Sequence, residues 1–129
     1  MECGLFAPED QGDVDWYRKA MAEGTEIWIL ESCGDIVANV QTSPVGSLPC
    51  PDEWERVDVG YLMSVAVHPD WQGRGLGRRA VSWALTREGA LIYWVAKARR
   101  DNRSSIRLLS GFGFRVWTQE GPWNWFRRF

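Results

Sequence analysis

The chain is expected to adopt a mixed α/β (α+β) fold as one domain over residues 1–129. Its 129 residues are of single-domain length, and 45% hydrophobic with 25% charged residues is ordinary for a globular core and surface. Strand-like and helix-like periodicities follow one another as β-α-β-β-β-α-β-α-β-β. Residues 57–96 form a strand-helix-strand unit, which requires a parallel pair, whereas the other neighbouring strands are close enough for hairpins. The expected sheet is therefore mixed and mostly antiparallel, with about six to seven strands and about three helices on its faces.

The elements are justified in chain order. Residues 2–6 are a candidate first strand, broken at Ala7-Pro8-Glu9-Asp10, with Asp10 or Asp13 as helix N-cap. Val14, Tyr17, Ala20 and Met21 recur at helical spacing through Glu23, and Gly24 ends that helix. Thr25–Glu31 and Ile36–Gln41 read as a hairpin around Cys33-Gly34-Asp35. Pro44, Gly46, Pro49 and Pro51 mark residues 43–52 as a loop. Val57–Val67 is nearly all apolar, as suits a central strand covered on both faces. Leu76, Ala80, Trp83 and Ala84 trace a helix over 76–88, and Leu91–Ala96 is another buried strand. A short helix from Arg103 to Ser110 has Asn102 in front and Gly111 behind; strands at 114–119 and 123–129 close the fold around Gly121-Pro122.

Composition narrows the function. No apolar run reaches the roughly 18 residues of a membrane span. Met1–Phe6 lacks the basic-then-apolar pattern of a secretory leader, so a cytoplasmic protein without membrane partners is expected. Cys3, Cys33 and Cys50 are far apart with no C-x-x-C, and with His68 as the sole histidine they predict reduced thiols and no metal site. Residues 1–67 carry 13 acidic and 3 basic side chains, and residues 68–129 carry 4 and 12. The split suggests one anionic and one cationic partner, or simply a surface that folding mixes. A nucleic-acid surface on the Arg-rich stretch 97–107 is not expected, because the acidic first half opposes it.

The most informative segment is Val65-Ala66-Val67-His68-Pro69-Asp70-Trp71-Gln72-Gly73-Arg74-Gly75-Leu76-Gly77-Arg78. A buried strand enters a Gly-rich turn, and the turn opens a helix. Glycine permits φ > 0 and close backbone approach, while the free N–H groups and dipole of a helix N-terminus favour anions. Such a turn suits a pyrophosphate, with Arg74, Arg78 and Arg79 as charged support. The G-x-G-x-G spacing matches neither G-x-G-x-x-G nor a P-loop.

This V-x-V-x-P-x-x-Q-G-x-G-x-G run resembles the acyl-CoA-binding motif of the GNAT superfamily. Asn102, Ser105, Ile106, Leu108 and Gly113-Phe114 resemble the family's second block, and Ala7–Asp10 is similar to its first strand-to-helix junction. The resemblance covers essentially the whole chain. It implies acetyl-CoA as cosubstrate, N-acetyl transfer to a primary amine, and a fourth strand splayed from the fifth by a bulge. It further implies that the main chain of Val65, Ala66 and Val67 bonds the pantetheine arm. Gln72, Gly73, Arg74, Gly75, Leu76, Gly77 and Arg78 would hold the pyrophosphate. Asn102 and Ser105 would flank the arm, Asn102 also serving as a helix cap.

The catalytic groups are less conventional. A Val65 backbone N–H is the expected oxyanion donor. Leu109 stands where the family often has an acidic Tyr, leaving Ser110, Ser105 or water as substitutes. Tyr61 and Lys97 occupy positions where members carry a basic Glu; Glu53, Glu55 and Asp58 are acids that could act through water. Direct attack in a ternary complex is expected, with positioning as the main contribution. The acceptor is open: a protein Lys or N-terminus, or a small cationic amine attracted by the acidic half and by Trp28, Trp54, Tyr61 and Trp123. A catalytically weak acyl-CoA-binding regulatory module is the alternative, and pairing of two chains at the last strands into a homodimer is a further expectation.

Overall fold

The computed structural model describes residue 22, residues 24–87 and residues 89–128. The expected first strand and the body of the first helix lie outside the described residues. Six strands form one sheet: β1 (Glu26–Ser32), β2 (Asp35–Pro44), β3 (Val59–Val67), β4 (Tyr93–Arg99), β5 (Arg115–Glu120) and β6 (Trp123–Arg128). Helix α1 (Leu76–Thr86) joins β3 to β4, and α2 (Arg103–Gly111) joins β4 to β5. The sheet order is β1-β2-β3-β4-β6-β5, with β3 and β4 parallel and all other pairs antiparallel. The predicted fourth and fifth strands are thus β3 and β4.

Local chemistry explains most boundaries. The β1–β2 hairpin turns at Cys33 (φ 53°) and Gly34 (φ 86°), the two positive-φ positions of a type I′ turn, whose twist matches that of the flanking strands. Strand β2 runs three residues past its expected end at Gln41 because Thr42, Ser43 and Pro44 pair with Leu62, Tyr61 and Gly60. The loop that follows is tied down: Val45 N–H donates to Val59 O, and Arg56 Nη1 donates to Gly46 O and Leu48 O. Strand β4 continues through Lys97, Ala98 and Arg99 because they pair with Trp125, Asn124 and Trp123 of β6.

The sheet separates two apolar layers. On one face α1 and α2 cover Val40, Leu62, Trp94, Ala96 and Phe126 with Ala80, Val81, Ala84, Leu85 and Leu109. On the other, Val45, Val59, Tyr61, Val95 and Trp125 pack together. Trp94 anchors the first layer at 1% exposure, its Nε1 donating to Leu91 O at 2.9 Å. Its ring lies against Gly60, its parallel neighbour, where a Cβ would come within 2.6 Å of the indole. Glycine is required there by close approach, since no side chain fits beneath a closely packed indole.

Candidate functional site

Strands β3 and β4 pair only over Val59–Tyr93, Gly60–Trp94 and Tyr61–Val95. Beyond that point β3 runs on to Val67 and β4 to Arg99 without touching in the ladder. The cause is visible in the β2–β3 register: Gln41 pairs with Ser64 but Thr42 with Leu62, so Met63 is an extra residue, a β-bulge. A bulge bends its strand and disrupts the neighbouring ladder. The splay expected of the fourth and fifth strands is present.

The ladder also decides which backbone groups face the gap. His68 N–H donates to Val37 O at 2.8 Å, while Ala38 stands opposite Val67. Val67–Ala38 is therefore a non-hydrogen-bonded pair, and alternation makes Val65–Val40 another. The N–H and C=O groups of Val65 and Val67 turn away from β2 into the splay. Ala66 has the opposite orientation, facing β2. One of the groups in the gap has a partner already: Gln72 Nε2 donates to Val67 O at 3.3 Å.

A cavity of about 600 Å³ occupies this opening. Its walls are β3 (Leu62, Met63, Ser64, Val65, Val67), β4 (Ala96, Lys97), the turn into α1 (Gln72, Gly73, Gly75, Leu76, Gly77) and α2 (Asn102, Ser104, Ser105, Leu108, Leu109). The lining draws on both faces of the sheet. Leu62, Val65, Ala96, Leu108 and Leu109 belong to the helix-covered layer, and Met63 packs on the other.

The turn into α1 presents open backbone. Gly73 and Gly75 have φ of 81° and 76°, and a Cβ on either would meet nothing within 4 Å, so their backbone faces open space. Gly75 is the N-cap of α1 and supplies no side-chain cap, which leaves the first-turn N–H groups free for a ligand. A Cβ on Gly77 would instead meet the side chains of Val67, Leu108 and Val65 at 3.7–3.9 Å, ordinary contact distance between α1 and its neighbours. Arg74, Arg78 and Arg79 are exposed and, among the described residues, pair with no carboxylate. Arg74 lies over the Trp71 ring at 4.7 Å. These groups fit a pyrophosphate, with Gln72, Gly73, Gly75 and Gly77 as the cradle. Across the gap, Asn102 Oδ1 accepts from Ser105 N–H at 3.1 Å, the cap of α2.

The catalytic candidates are dispersed. Val65 is in the gap. Tyr61 is 9% exposed, packs against Trp125 at a ring distance of 6.1 Å, and does not line the cavity. Burial pushes its phenol above the usual tyrosine range. Ser110 is exposed on α2 and outside the cavity lining. Ala66, Arg74 and Arg78 also lie outside it. Leu109, 6% exposed, presents an apolar wall to the cavity and carries no proton to donate. Residues the sequence reading left out of the site are Leu62, Met63, Ser64, Ala96, Ser104 and Leu108; the apolar continuity of Val57–Val67 gives no sign of a bulge. Neither Cys33 nor Cys50 is among the lining residues, and no cluster of metal-ligating side chains occurs among the described residues. No described helix is long and apolar enough to cross a membrane.

Comparison with known proteins gives a consistent picture. The profile of the "Acetyltransferase (GNAT) family" matches residues 5–114. An uncharacterised N-acetyltransferase of Methanocaldococcus jannaschii is 27% identical over 110 residues, covering 77% of this chain and 44% of that protein. The N-alpha-acetyltransferase RimI of Mycobacterium tuberculosis is 28% identical over 116 residues, covering 88% of this chain and 68% of its own length. The crystal structure of PaiA N-acetyltransferase from Thermoplasma acidophilum, in complex with coenzyme A, superposes with a TM-score of 0.72 at 9% identity. That match covers 97% of this chain and 80% of the other, and it speaks for the fold alone. The chain spans less than half the length of the archaeal relative. It belongs to the GNAT family.

Proposed function

We propose that this GNAT-family chain is an N-acetyltransferase that takes its acetyl group from acetyl-CoA and passes it to a primary amine by direct attack in a ternary complex. The observation that carries the reading is the cavity between β3 and β4, walled at one end by the open glycine turn and drawing its lining from both faces of the sheet. Acetyl-CoA, when bound, supplies an activated thioester.

The chain's own groups then have separable tasks. The amides of the 72–77 turn and the α1 N-terminus hold the pyrophosphate, with Arg74 and Arg78 neutralising charge from outside the cavity. Main-chain groups of Val65 and Val67, turned into the gap, meet the amides of the pantetheine arm as a neighbouring strand would. The same alignment offers the Val65 N–H to an oxygen on which charge develops. Asn102 and Ser105 line the far wall and keep α2 in place. Neither Cys33 nor Cys50 lines the cavity, which favours direct attack over an acyl-enzyme. A cytoplasmic setting is consistent with two described cysteines that are free thiols.

A second reading has its own observation. Leu109 places a hydrocarbon wall where a proton donor would help the thiolate leave, as expected of a binding module with little turnover. One experiment separates the two. Isothermal titration of acetyl-CoA tests binding, and thiol release with a chromogenic disulfide in the presence of an amine panel tests transfer. Binding with amine-dependent thiol release supports the enzyme, and binding without it supports the module. Absence of binding removes both.

A further inference from the structure

The cavity has an end that the coenzyme reading does not use. Lys97 sits on β4 two residues beyond the last β3–β4 pair and lines the opening. It shares a sheet face with its cross-strand neighbour Trp125 and with Trp123, away from α1 and α2. Its Nζ lies 4.7 Å from the Trp123 ring and 5.5 Å from the Trp125 ring. Two indole faces hold the ammonium in a defined place at the strand face.

Two cations on this face are already matched, and the exposed Glu120, cross-strand from Trp123, lies on the same face. Arg99 bonds Asp101 at 3.3 Å, and Arg127 bonds Glu53 at 2.6 Å. Lys97, exposed, has no carboxylate among the described residues. Below it, Trp125 Nε1–H is buried with no acceptor. Lys97 lines the gap as a donor-only group and offers nothing to a cationic ligand.

We infer that Lys97 is a specificity residue for the acceptor, and that the acceptor is an amine with anionic groups close to it, such as a peptide N-terminus followed by acidic side chains. A polyamine would bring like charge to a fixed ammonium, whereas a nearby carboxylate gains a partner on arrival. The inference rests on the acyl-transfer reading above and reverses the expectation of a cationic acceptor drawn from the acidic half of the chain.

The test uses two C-terminally amidated peptides with identical lengths and free N-terminal alanines, one continuing with two Glu and the other with two Lys. Thiol release from acetyl-CoA is followed for the full chain, for Lys97→Gln and for Lys97→Arg. The acidic peptide is expected to have a kcat/KM about tenfold above the basic one. Lys97→Gln should erase that ratio mainly through KM, Lys97→Arg should restore it, and added salt should narrow it. Equal rates, a preference for the basic peptide, no transfer to the acidic peptide, or a preference that survives Lys97→Gln would each overturn the inference. Calorimetry with acetyl-CoA alone keeps the two levels apart: loss of that binding in the unaltered chain marks failure of the coenzyme site instead.

Discussion

The two ends of the β3–β4 pair make opposite use of the same two strands. At the closed end, Val59–Tyr61 and Tyr93–Val95 run parallel in register, Gly60 admits the face of Trp94, and both sheet faces are sealed by apolar layers. At the open end, one added residue, Met63, ends the pairing and turns backbone groups toward a cavity. Closure is a packing problem, solved by removing a side chain. Opening is a hydrogen-bonding problem, because the freed N–H and C=O groups need either water or a ligand that behaves like a strand. The packed closed end fixes where the two strands part, so its residues are expected to influence ligand affinity without touching a ligand.

That division can be broken from either side. The largest effect is expected at the turn that serves the open end. Gly75→Glu places a negative side chain at φ 76° in the anion cradle and should lower acetyl-CoA affinity by at least about a hundredfold, combining charge repulsion with backbone strain. Calorimetry checks this, and circular dichroism should show the fold retained.

Gly60→Val attacks the closed end. Its Cβ would overlap the Trp94 ring, so unfolding in urea should reveal a loss of about 1–3 kcal/mol. Acetyl-CoA affinity of this variant should also fall as the parting of the two strands shifts. Unchanged affinity in a destabilised protein would separate the two ends completely.

Asn102→Ala removes the cap of α2, costing about 1 kcal/mol of stability. Because Asn102 also lines the cavity, binding should weaken beyond what the lost stability accounts for.

The smallest effect lies beside the closed end. A hydrogen bond from its own backbone, followed by the Arg127 guanidinium, holds the Glu53 carboxyl below its ordinary value. A carboxylate with a depressed folded pKa favours the native state above its unfolded pKa and stops doing so as pH falls through the lower folded value. The urea midpoints of the native chain and Glu53→Gln should therefore differ slightly at neutral pH and merge as pH falls below the lowered folded value. A difference that widened in acid would contradict the assignment.

Much of this was readable in advance because it is local. Positive-φ glycines, helix caps and apolar periodicity act over a few residues, so the turn at 72–78, α1, α2 and the β1–β2 hairpin are legible in the sequence. The resemblance to the GNAT family named the coenzyme from the same segment, and the family assignment agrees. Other features depend on partners far along the chain. Thr42–Pro44 and Lys97–Arg99 look like loop in isolation and become strand only because Gly60–Leu62 and Trp123–Trp125 complete their ladders. Likewise, nothing local tells Tyr61, buried against Trp125, from a side chain in the site.

The sequence by itself determined the order of the elements from residue 25 onward, the glycine turn into α1 and the family, since each is written in short-range backbone preferences and side-chain spacing. Only the tertiary structure decided that β6 lies between β4 and β5, that Met63 is the bulged residue, and that Lys97 stands over two indoles at the mouth of the gap. These follow from strand register and packing, which are properties of pairs of distant segments and of no segment alone.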